Sequence, residues 1–335
     1  MRISRGRAGV ALLAVSSPIV GGAAIAQRER LPAECRQQIM ELCRGAEGGI
    51  RQCVMTALPR LSDDCRKTIG NRAAAKEPAV AGMRELSYGT DPLQRFDLVV
   101  PAGPKRAPLL LFVHGGGWSI GDKRMGESVK AAHFTAAGWA YASMNYRLVP
   151  QATVEQQAAD LASAIAYARA HAAELGLDPD RIVLMGHSAG AHLAALVGTD
   201  PRYFAAAGVP MKAVRGVVLL DGAAYDVARQ IALPGNLVAP MYDAAFGKDP
   251  ARQRALSPTL HAAAPNVARW LILPIEKRTD SGPQSQQLAA ALTKAGARAR
   301  VVPVPDKSHR ALNMGLGEAG DFATGEVDRF LADAG

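Results

Sequence analysis

The most informative part of this chain is residues 182–197, which read IVLMGHSAGAHLAALV. The first four residues, Ile182–Met185, are all apolar, which is typical of a buried strand. The run Ala189–Val197 is rich in alanine and leucine, which favour a helix. A single G-x-S-x-G turn, residues 186–190, joins the two without an intervening loop. The sequence therefore predicts a strand that turns sharply at Ser188 and leads directly into a helix.

The same alternation of short apolar runs and longer alanine-rich stretches continues from about residue 85 to the end of the chain. Apolar strands that alternate with helices indicate an α/β fold with a mostly parallel sheet and helices on both faces. In such a fold, functional groups collect at the carboxyl ends of the strands. The predicted strands are Phe96–Val100, Leu109–Val113, Ala140–Met144, Ile182–Met185, Val217–Leu220, Trp270–Leu273 and Val301–Val304. The predicted helices are Glu127–Ala137, Ala152–Leu175, Ala189–Val197, Gln284–Ala295 and Ala319–Ala334.

Ser188 is the candidate nucleophile at one of these strand ends. Small residues two positions before and after it let the strand and the helix approach each other, and the turn pushes the hydroxyl outward. A second match to the pattern, GWSIG at residues 117–121, has Ser119 at its centre. Ser119 leads into the charged residues 122–124 rather than into a helix, so its context favours Ser188 as the nucleophile.

A serine hydroxyl needs a base, and the base needs an acid that orients it. His309 is the only histidine that follows a late predicted strand, whereas the others belong to the glycine motifs or lie on or beside predicted helices. The acid is expected after the penultimate strand, where Glu276 and Asp280 are available. Asp280 is favoured because it lies nearer to the start of the next helix. The predicted triad is Ser188, Asp280 and His309, with Glu276 as the alternative acid.

A glycine run after another strand supplies candidate donors for a developing negative charge. Residues 114–118 read HGGGW and directly follow the predicted strand Leu109–Val113. A tetrahedral intermediate needs backbone amides near its oxyanion, and we expect Gly116, Gly117 and Ala189 to supply them. Which two of the three glycines at 115–117 point inward stays open. No G-K-[ST] follows the run and no G-x-G-x-x-G opens a first strand, so a nucleotide cofactor is not indicated.

Several short motifs together resemble the α/β-hydrolase superfamily, and in particular its esterase/lipase branch with an HGGG motif, which includes hormone-sensitive lipase and bacterial carboxylesterases. These motifs are His114–Trp118, Gly121–Lys123, Asn145–Leu148, Gly186–Gly190, Phe246-Gly247, Ser257-Pro258 and Ser308-His309. The resemblance covers about residues 85–335. It implies an eight-stranded core, no cofactor and hydrolysis of carboxylic esters through an acyl-enzyme. One departure concerns the acid, because residues 278–283 read RTDSGP and lack the usual valine-proline spacing.

The expected substrate is a small-molecule ester. Residues 222–266 lie between two predicted strands, and their apolar side chains either line a pocket for small or medium acyl groups or pack the domain interior. The same triad also suits other bonds, so a peptidase, a formamidase and a polysaccharide deacetylase stay as alternatives. A non-catalytic binding protein on the same scaffold is an alternative from another class. The apolar side chains in question are Tyr225, Leu237, Met241, Tyr242 and Phe246.

The N-terminus has the pattern of a secretory signal peptide. Three arginines within the first seven residues precede the apolar stretch Val10–Ile25, and small residues at 24 and 26 match the positions that a signal peptidase reads. We expect residues 1–26 to be removed and the mature protein to be periplasmic or secreted. The alternative is an uncleaved anchor helix, although Pro18 and a Gly-Gly pair interrupt the stretch. No other segment approaches the roughly 20 apolar residues of a membrane span, so none is expected after removal of the signal.

The four cysteines all lie in the segment that follows, residues 27–66, at Cys35, Cys43, Cys53 and Cys65. Their spacing lacks the C-x₂-C pairs of a zinc site, so no metal site is expected. An even number of cysteines in an exported chain predicts two disulfides. An antiparallel pair of helices on either side of a turn at 45–49 would pair Cys43 with Cys53 and Cys35 with Cys65, which is one of three possible pairings.

This cysteine-rich segment resembles the small cysteine-rich repeat that occurs singly or in arrays in exported proteins. It is expected to contain helices at Glu34–Arg44 and Ile50–Leu58. Residues 67–84 lack a strong period and are predicted to be a linker to the α/β domain, residues 85–335. The segment either caps or spaces the larger domain or binds a partner.

The net charge of +9 makes nucleic-acid binding a class to consider. Part of that charge lies in the predicted signal peptide, the remainder is spread without a basic run, and aromatic residues make up only 5% of the chain. A surface for phosphate contacts and base stacking is therefore not supported. The hydrophobic fraction of 49% is ordinary for a globular protein with a sizeable core. The oligomeric state is not indicated.

Overall fold

The computed structural model describes residues 31–44, 53–54, 57–74, 78, 80–103, 106–233 and 238–334. The predicted signal peptide, residues 1–26, lies outside the described residues. So do the predicted turn at 45–49 and most of the predicted helix at 50–58. The leader and its cleavage therefore stay predictions.

The strands of the described chain are β1 (Arg84–Ser87), β2 (Arg95–Val99), β3 (Ala107–Val113), β4 (Ala140–Met144), β5 (Leu177–His187), β6 (Val214–Leu220), β7 (Arg269–Leu273) and β8 (Arg298–Val301). They form one sheet in the order β1-β2-β4-β3-β5-β6-β7-β8. Strands β3 to β8 are parallel, whereas β1 and β2 form an antiparallel pair that joins the sheet along β4. The predicted mostly parallel, eight-stranded sheet is confirmed.

The five helices predicted for the α/β domain are present, except that the one predicted over Ala152–Leu175 is interrupted at His171. The short helices between residues 201 and 261 and the helix that begins at His309 were not predicted. Short 3-10 helices lie at Leu58–Arg60 and Met211–Ala213. The α-helices are α1 (Ala33–Leu42), α2 (Asp63–Ala74), α3 (Glu127–Ala136), α4 (Val154–Ala170), α5 (Ala172–Leu175), α6 (Ala189–Thr199), α7 (Pro201–Ala206), α8 (Val227–Ile231), α9 (Ala239–Phe246), α10 (Pro250–Ala255), α11 (Pro258–His261), α12 (Ser281–Lys294), α13 (His309–Gly315) and α14 (Phe322–Ala332).

Two apolar layers cover the two faces of the sheet, because successive strand residues point to opposite sides. In β3, Leu109 and Leu111 belong to one layer, whereas Leu110 and Phe112 belong to the other. Helices α4, α6 and α12 contribute to the first layer, and α3, α13 and α14 contribute to the second. The near-continuous apolar sequences of the central strands follow from this double burial.

The two edge strands differ from the sequence prediction. Strand β1 was not predicted, because its residues are polar and largely exposed and leave no apolar run. The last strand was expected at Val301–Val304, but β8 spans Arg298–Val301, with alternating exposed and half-buried residues. An edge strand needs only one apolar face, so its sequence resembles a loop more than a buried strand. Val304 instead forms an isolated bridge with Ile275.

The cysteine-rich segment contains the two predicted disulfides, Cys35–Cys65 and Cys43–Cys53. Their Cα atoms are 5.1 and 5.7 Å apart, within the range that a disulfide spans. Helix α2 continues to Ala74, so residues 67–74 of the predicted linker are helical. The segment also contacts the α/β domain. Its 3-10 helix lies against α9, and Gln151 Nε2 donates to Asp63 Oδ2 at 2.6 Å.

Candidate active site

Ser188 lies at the turn between β5 and α6 with unusual backbone angles. Its φ is 56° and its ψ is −120°, a strained conformation typical of a strand that turns sharply to expose a nucleophile. The turn leaves no room for a side chain at either flanking glycine, Gly186 or Gly190. A Cβ at Gly186 would come 2.2 Å from the Gly190 carbonyl oxygen, and one at Gly190 would come 2.2 Å from that of Val113. The Ser188 amide donates to the Leu220 carbonyl at 3.0 Å, which ties the turn to the end of β6.

The glycine run after β3 packs directly against the Ser188 turn. A Cβ at Gly115 would lie 2.9 Å from the Ser188 Cβ, so no side chain fits between them. Gly116 and Gly117 have φ values of 130° and 57°, which favour glycine. Within the described ranges, neither of their amides donates a hydrogen bond. The amide of Ala189 begins α6, where no preceding helical carbonyl accepts it. Among the described residues, the amides of Gly116 and Gly117 therefore have no protein acceptor, and that of Ala189 lies at the first position of its helix.

Ser119, the alternative nucleophile, has a different setting. It is buried, and its hydroxyl donates to the Gly117 carbonyl at 3.0 Å. The next helix begins only at Glu127, so Ser119 lies on no strand-to-helix turn. Asn145, just after β4, holds the intervening loop by accepting from the Lys123 amide at 2.6 Å. Ser119 therefore belongs to the structure that shapes the glycine run.

His309 is the first residue of α13, and its ring contacts the side chains of Asp221 and His187. Its Nδ1 lies 2.6 Å from Asp221 Oδ2. The centroids of the His187 and His309 rings are 4.4 Å apart, and His187 Nε2 donates to the His309 carbonyl at 3.0 Å. Burial lowers the pKa of His187 well below its ordinary value, so this ring is neutral. Because His187 precedes Ser188, this hydrogen bond joins the first turn of α13 to the Ser188 turn.

The carboxylate beside His309 is Asp221 and not the predicted Asp280. Asp280 lies just before α12, where Arg278 binds its two carboxylate oxygens at 2.9 and 2.6 Å. The alternative acid, Glu276, is exposed. The loop after β7 brings Arg278 Nη1 to 3.1 Å from His309 Nδ1, where the sequence led us to expect an acid. The prediction of Asp280 is wrong because this arginine engages its carboxylate and occupies the position beside the histidine.

Asp221 directly follows β6, whose apolar residues 217–220 are evident in the sequence. The rule that identifies Ser188, a polar residue just beyond a buried strand, applies equally to Asp221. A search confined to the penultimate strand misses it. The sequence feature that argued against Asp280 as the acid was the absence of the usual valine-proline spacing after it.

Four donors surround the fully buried Asp221 carboxylate. Its Oδ1 accepts from the Ile275 amide at 3.0 Å and from the Ser281 hydroxyl at 2.7 Å. Its Oδ2 accepts from Arg278 Nη1 at 2.7 Å and from His309 Nδ1 at 2.6 Å. Burial alone would raise the pKa of Asp221, but the hydrogen bond from His309 and the charge of Arg278 hold it well below its usual range. Asp221 is therefore ionised and fixed in orientation.

The side chains expected near an acyl pocket pack around the glycine run. A Cβ at Gly117 would come 2.5 Å from Met241 Sδ of α9. The ring of Trp118 lies 5.7 Å from that of Tyr242 and 4.7 Å from that of Phe246, measured between centroids. Helix α9 thus covers the glycine run with apolar side chains. The expected pocket residues Tyr225, Met241, Tyr242 and Phe246 are all buried, and Leu237 lies outside the described residues.

His192, one turn after Ser188, is buried in the interior. Burial lowers the pKa of His192 to about 4, and its Nε2 donates to the Leu256 carbonyl at 2.9 Å. In the part of the chain that the structure describes, no group of three or more His, Cys, Asp or Glu side chains is placed to hold a metal ion. No helix of that part has both the length and the apolar character needed to cross a membrane.

Comparison with known proteins relates the central part of the chain to esterases. Residues 96–205 match the family model described as BD-FAE. The probable isoprenylcysteine alpha-carbonyl methylesterase ICMEL1 of Arabidopsis thaliana is 43% identical over 115 residues, which are 33% of this chain and 24% of that protein. Esterase LipC of Mycobacterium tuberculosis is 37% identical over 127 residues, 36% of this chain and 31% of that protein. The chain thus spans about a quarter to a third of the length of these curated relatives.

Solved structures match over a larger part of the chain. Esterase B from Lactobacillus rhamnosis has a TM-score of 0.68 at 20% identity and covers 85% of this chain and 96% of its own. A thermophilic esterase from Thermogutta terrifontis has a TM-score of 0.64 at 25% identity and covers 78% of this chain and 97% of its own. Together with the sheet order and the strand-turn-helix at Ser188, these matches show that the chain has the α/β-hydrolase fold.

Proposed function

We propose that this protein is a serine esterase that hydrolyses carboxylic esters through an acyl-enzyme. Ser188 is the nucleophile, His309 is the general base and Asp221 is the carboxylate that orients it. The proposal depends above all on the 2.6 Å hydrogen bond between His309 Nδ1 and Asp221 Oδ2, made beside the turn that carries Ser188. The esterase names of the similar proteins support it.

The reaction begins when His309 Nε2 removes the Ser188 hydroxyl proton as the serine oxygen attacks the ester carbonyl carbon. The amides of Gly116, Gly117 and Ala189 stabilise the negative charge on the former carbonyl oxygen. The protonated His309 then donates to the leaving alkoxy oxygen, the ester C–O bond breaks, and the acyl group stays on Ser188. A water molecule deprotonated by His309 attacks this acyl-enzyme, and collapse releases the carboxylic acid and restores the serine hydroxyl.

Asp221 contributes orientation and charge. By accepting from Nδ1–H of His309, it selects the tautomer in which Nε2 is free to take the proton from Ser188. Its negative charge stabilises the imidazolium that forms in the transition state. The depressed pKa of Asp221 supports this role, because the carboxylate stays ionised at any pH at which a histidine acts as a base. His187 restrains the backbone of His309 from the other side.

The proposed substrates carry small or medium acyl groups. The esterase names of the curated relatives and of the solved neighbours support an ester as the substrate. Apolar side chains of α9 and the buried Trp118 lie against the glycine run, and such surroundings suit an uncharged acyl group. A peptidase, a formamidase or a polysaccharide deacetylase would use the same groups, so the substrate panel below includes their substrates.

We also propose that the chain is exported. The pattern of residues 1–26 and the two disulfides in the segment that follows support this, because disulfides persist in oxidising compartments. The test is the intact mass of the protein recovered from periplasmic and culture fractions. We expect a mature N-terminus at Gln27. Recovery of the chain with Met1 from the cytoplasm alone would contradict the proposal.

The enzyme proposal is tested first with a fluorophosphonate probe, which modifies an activated serine. We expect the wild-type protein to be labelled and the Ser188→Ala variant to resist labelling. Ser119→Ala is the matched control, because Ser119 lies in the second G-x-S-x-G pattern, and it should still be labelled. An unlabelled wild-type protein would favour the non-catalytic alternative. Loss of labelling in Ser119→Ala, with labelling kept in Ser188→Ala, would identify Ser119 as the nucleophile.

A substrate panel then distinguishes the bonds. It contains p-nitrophenyl esters from acetate to laurate, the matching anilides, an N-formyl aromatic amine and an acetylated oligosaccharide. We expect the highest kcat/KM for short-chain esters and a large preference for esters over anilides. The protein could instead turn over the anilides, the formamide or the acetylated glycan and leave the simple esters unhydrolysed. That result would replace the esterase proposal with the corresponding alternative.

A further inference from the structure

We propose that Arg278 is a positioning residue that lowers the proton affinity of His309, and that Asp280 limits how strongly it does so. The inference rests on the proposed function, since it takes His309 as the general base. It concerns the arginine and aspartate that occupy the loop where the acid of the triad was expected. This pair would set the lowest pH at which the enzyme works.

The guanidinium group of Arg278 connects two carboxylates. Its Nη1 lies 2.7 Å from Asp221 Oδ2 and 3.1 Å from His309 Nδ1. Its Nε and Nη2 bind the two oxygens of Asp280 at 2.9 and 2.6 Å. The side chain of Arg278 is 27% exposed, whereas that of Asp221 is inaccessible. Because the group is planar and held on two sides, its Nη1 edge is fixed toward the histidine ring.

Arg278 and His309 share one acceptor oxygen. Both donate to Asp221 Oδ2, whereas Oδ1 is occupied by the Ile275 amide and the Ser281 hydroxyl. The arginine therefore neutralises part of the Asp221 charge that would otherwise stabilise the imidazolium form of His309. Its own positive charge, 3.1 Å from Nδ1, also opposes a second positive charge on the ring. Both effects favour the neutral imidazole, which is the form that accepts the serine proton.

The charged groups that face His309 come from several elements. Asp221 after β6 favours the protonated ring, and Asp280 before α12 offsets the charge of Arg278. From β5, the stacked His187 is neutral because burial lowers its pKa. Among the described residues, Arg278 is the only cation within hydrogen-bond distance of the His309 ring. Farther out lie Lys130 of α3, which donates to the Asn313 carbonyl, the exposed Arg310, and the ion pairs Lys277–Asp306 and Lys307–Asp321.

The consequence is a pair of opposite effects on one limb of the pH profile. On the acid side kcat/KM falls as His309 becomes protonated, because the protonated ring is no longer a base. Arg278 moves this limb to lower pH by opposing the protonation. Asp280 moves it back by neutralising part of the arginine charge. A purely structural ion pair would not act in this way, since loss of either partner would then have the same effect.

The test measures kcat/KM for a short-chain aryl ester against pH. We expect Arg278→Gln to move the acid limb to higher pH by about one unit. Asp280→Asn should move the limb to lower pH by a smaller amount. Arg278→Lys keeps the positive charge but lacks the planar guanidinium, so its acid limb should lie close to the pH of the wild-type limb. The proposal is overturned if Arg278→Gln leaves the limb in place or lowers it, or if Asp280→Asn moves it in the same direction as Arg278→Gln.

Arg202 provides a matched control elsewhere in the fold. It binds the two oxygens of Asp200, an aspartate two residues away like Asp280, at 2.9 and 2.7 Å. Arg202→Gln therefore removes an ion pair of the same geometry that lies outside the candidate site. We expect the acid limb of this variant to coincide with that of the wild-type protein. A shift as large as that of Arg278→Gln would show that any lost ion pair has this effect.

A second measurement does not depend on turnover. In a Ser188→Ala background, the ring of His309 is titrated by NMR with and without each substitution. The midpoint of the titration should rise with Arg278→Gln and fall with Asp280→Asn. If the midpoint moves in this way but the wild-type protein hydrolyses no ester, the proposed function fails and the effect of Arg278 on His309 stands. If esters are hydrolysed and the midpoint does not move, the role of Arg278 fails alone.

Discussion

Asp221 Oδ2 lies 2.6 Å from His309 Nδ1, although 88 positions separate the two residues in the chain. The reason is topological. Strands β6, β7 and β8 are parallel neighbours, so the residues that follow β6 and β8 meet across the end of β7. The loop after β7 places Arg278 between two carboxylates, and only one of these contacts the histidine. The roles of the two aspartates can therefore be separated by experiment.

Replacement of Asp221 by asparagine is expected to lower kcat/KM for a short-chain ester by about 10⁴-fold at the optimal pH. An asparagine amide would no longer hold Nδ1 protonated and would not stabilise the imidazolium. Steady-state kinetics with p-nitrophenyl acetate measure the effect. Asp280→Asn is the comparison, and at the same pH we expect it to stay within about tenfold of wild type. A larger loss for Asp280→Asn than for Asp221→Asn would restore Asp280 as the acid of the triad.

Replacement of Gly190 by alanine is expected to distort the nucleophile turn. The new Cβ would come 2.2 Å from the Val113 carbonyl oxygen, so β3 and α6 would have to move apart. We expect the free energy of unfolding to fall by about 1–3 kcal/mol and esterase activity to fall with it. Urea unfolding and steady-state kinetics measure the two effects.

The control for this substitution is Gly325→Ala in the middle of α14. Its new Cβ would meet nothing closer than 3.6 Å, an Arg329 side-chain nitrogen. Alanine favours a helix over glycine by about 0.5–1 kcal/mol, so this variant should be slightly more stable than wild type with unchanged activity. Equal stabilities of the Gly190 and Gly325 variants would show that the turn tolerates a side chain.

Reduction of the disulfides is expected to lower the melting temperature without abolishing turnover at 25 °C. Loss of a disulfide such as Cys35–Cys65 typically costs about 2–4 kcal/mol, and the candidate catalytic residues include no cysteine. Because Leu58–Arg60 lies against α9, unfolding of the segment should also lower the temperature at which activity is lost. Thermal melts and initial rates with and without dithiothreitol test both points. Immediate loss of turnover at 25 °C would show that the segment is needed for the active conformation.

Glu127 should make the protein less stable as the pH rises. Its side chain is buried, and within the described residues its Oε1 has no hydrogen-bond partner. Burial, together with the charge of Asp97, raises the pKa of Glu127 to about 8. The unfolded pKa is about 4.3. Between these two values the folded state holds a proton that the unfolded state has released, so this contribution to stability is lost as the pH rises toward 8.

The variant Glu127→Gln keeps the shape of the side chain and cannot ionise. We expect it to be more stable than wild type at pH 8, by on the order of 3 kcal/mol, and similar to wild type at pH 5. Urea unfolding at the two pH values measures the difference. A stability difference that is the same at both pH values would contradict the raised pKa of Glu127.

Features that depend on neighbouring residues were predicted well. The strand, turn and helix around Ser188 follow from apolar periodicity and from glycines that leave room for backbone contacts of 2.2 Å. The cysteine pairing follows from a short segment that folds back on itself. The edge strand β1 could not be predicted, because an exposed strand has no apolar run. Its position depends on backbone pairing with β2, which the side chains do not encode.

The sequence by itself determined the α/β class, the elbow at Ser188, the glycine run and the histidine turn, because each is a local pattern of side-chain size and polarity. Only the tertiary structure decided which carboxylate reaches His309. Asp221 and Asp280 both lie in loops that follow buried strands. The one local difference, the missing valine-proline spacing after Asp280, does not point to Asp221. The distinction comes from the order of β6, β7 and β8 and from Arg278. This arginine binds both oxygens of Asp280 but only Oδ2 of Asp221, which also accepts from the histidine.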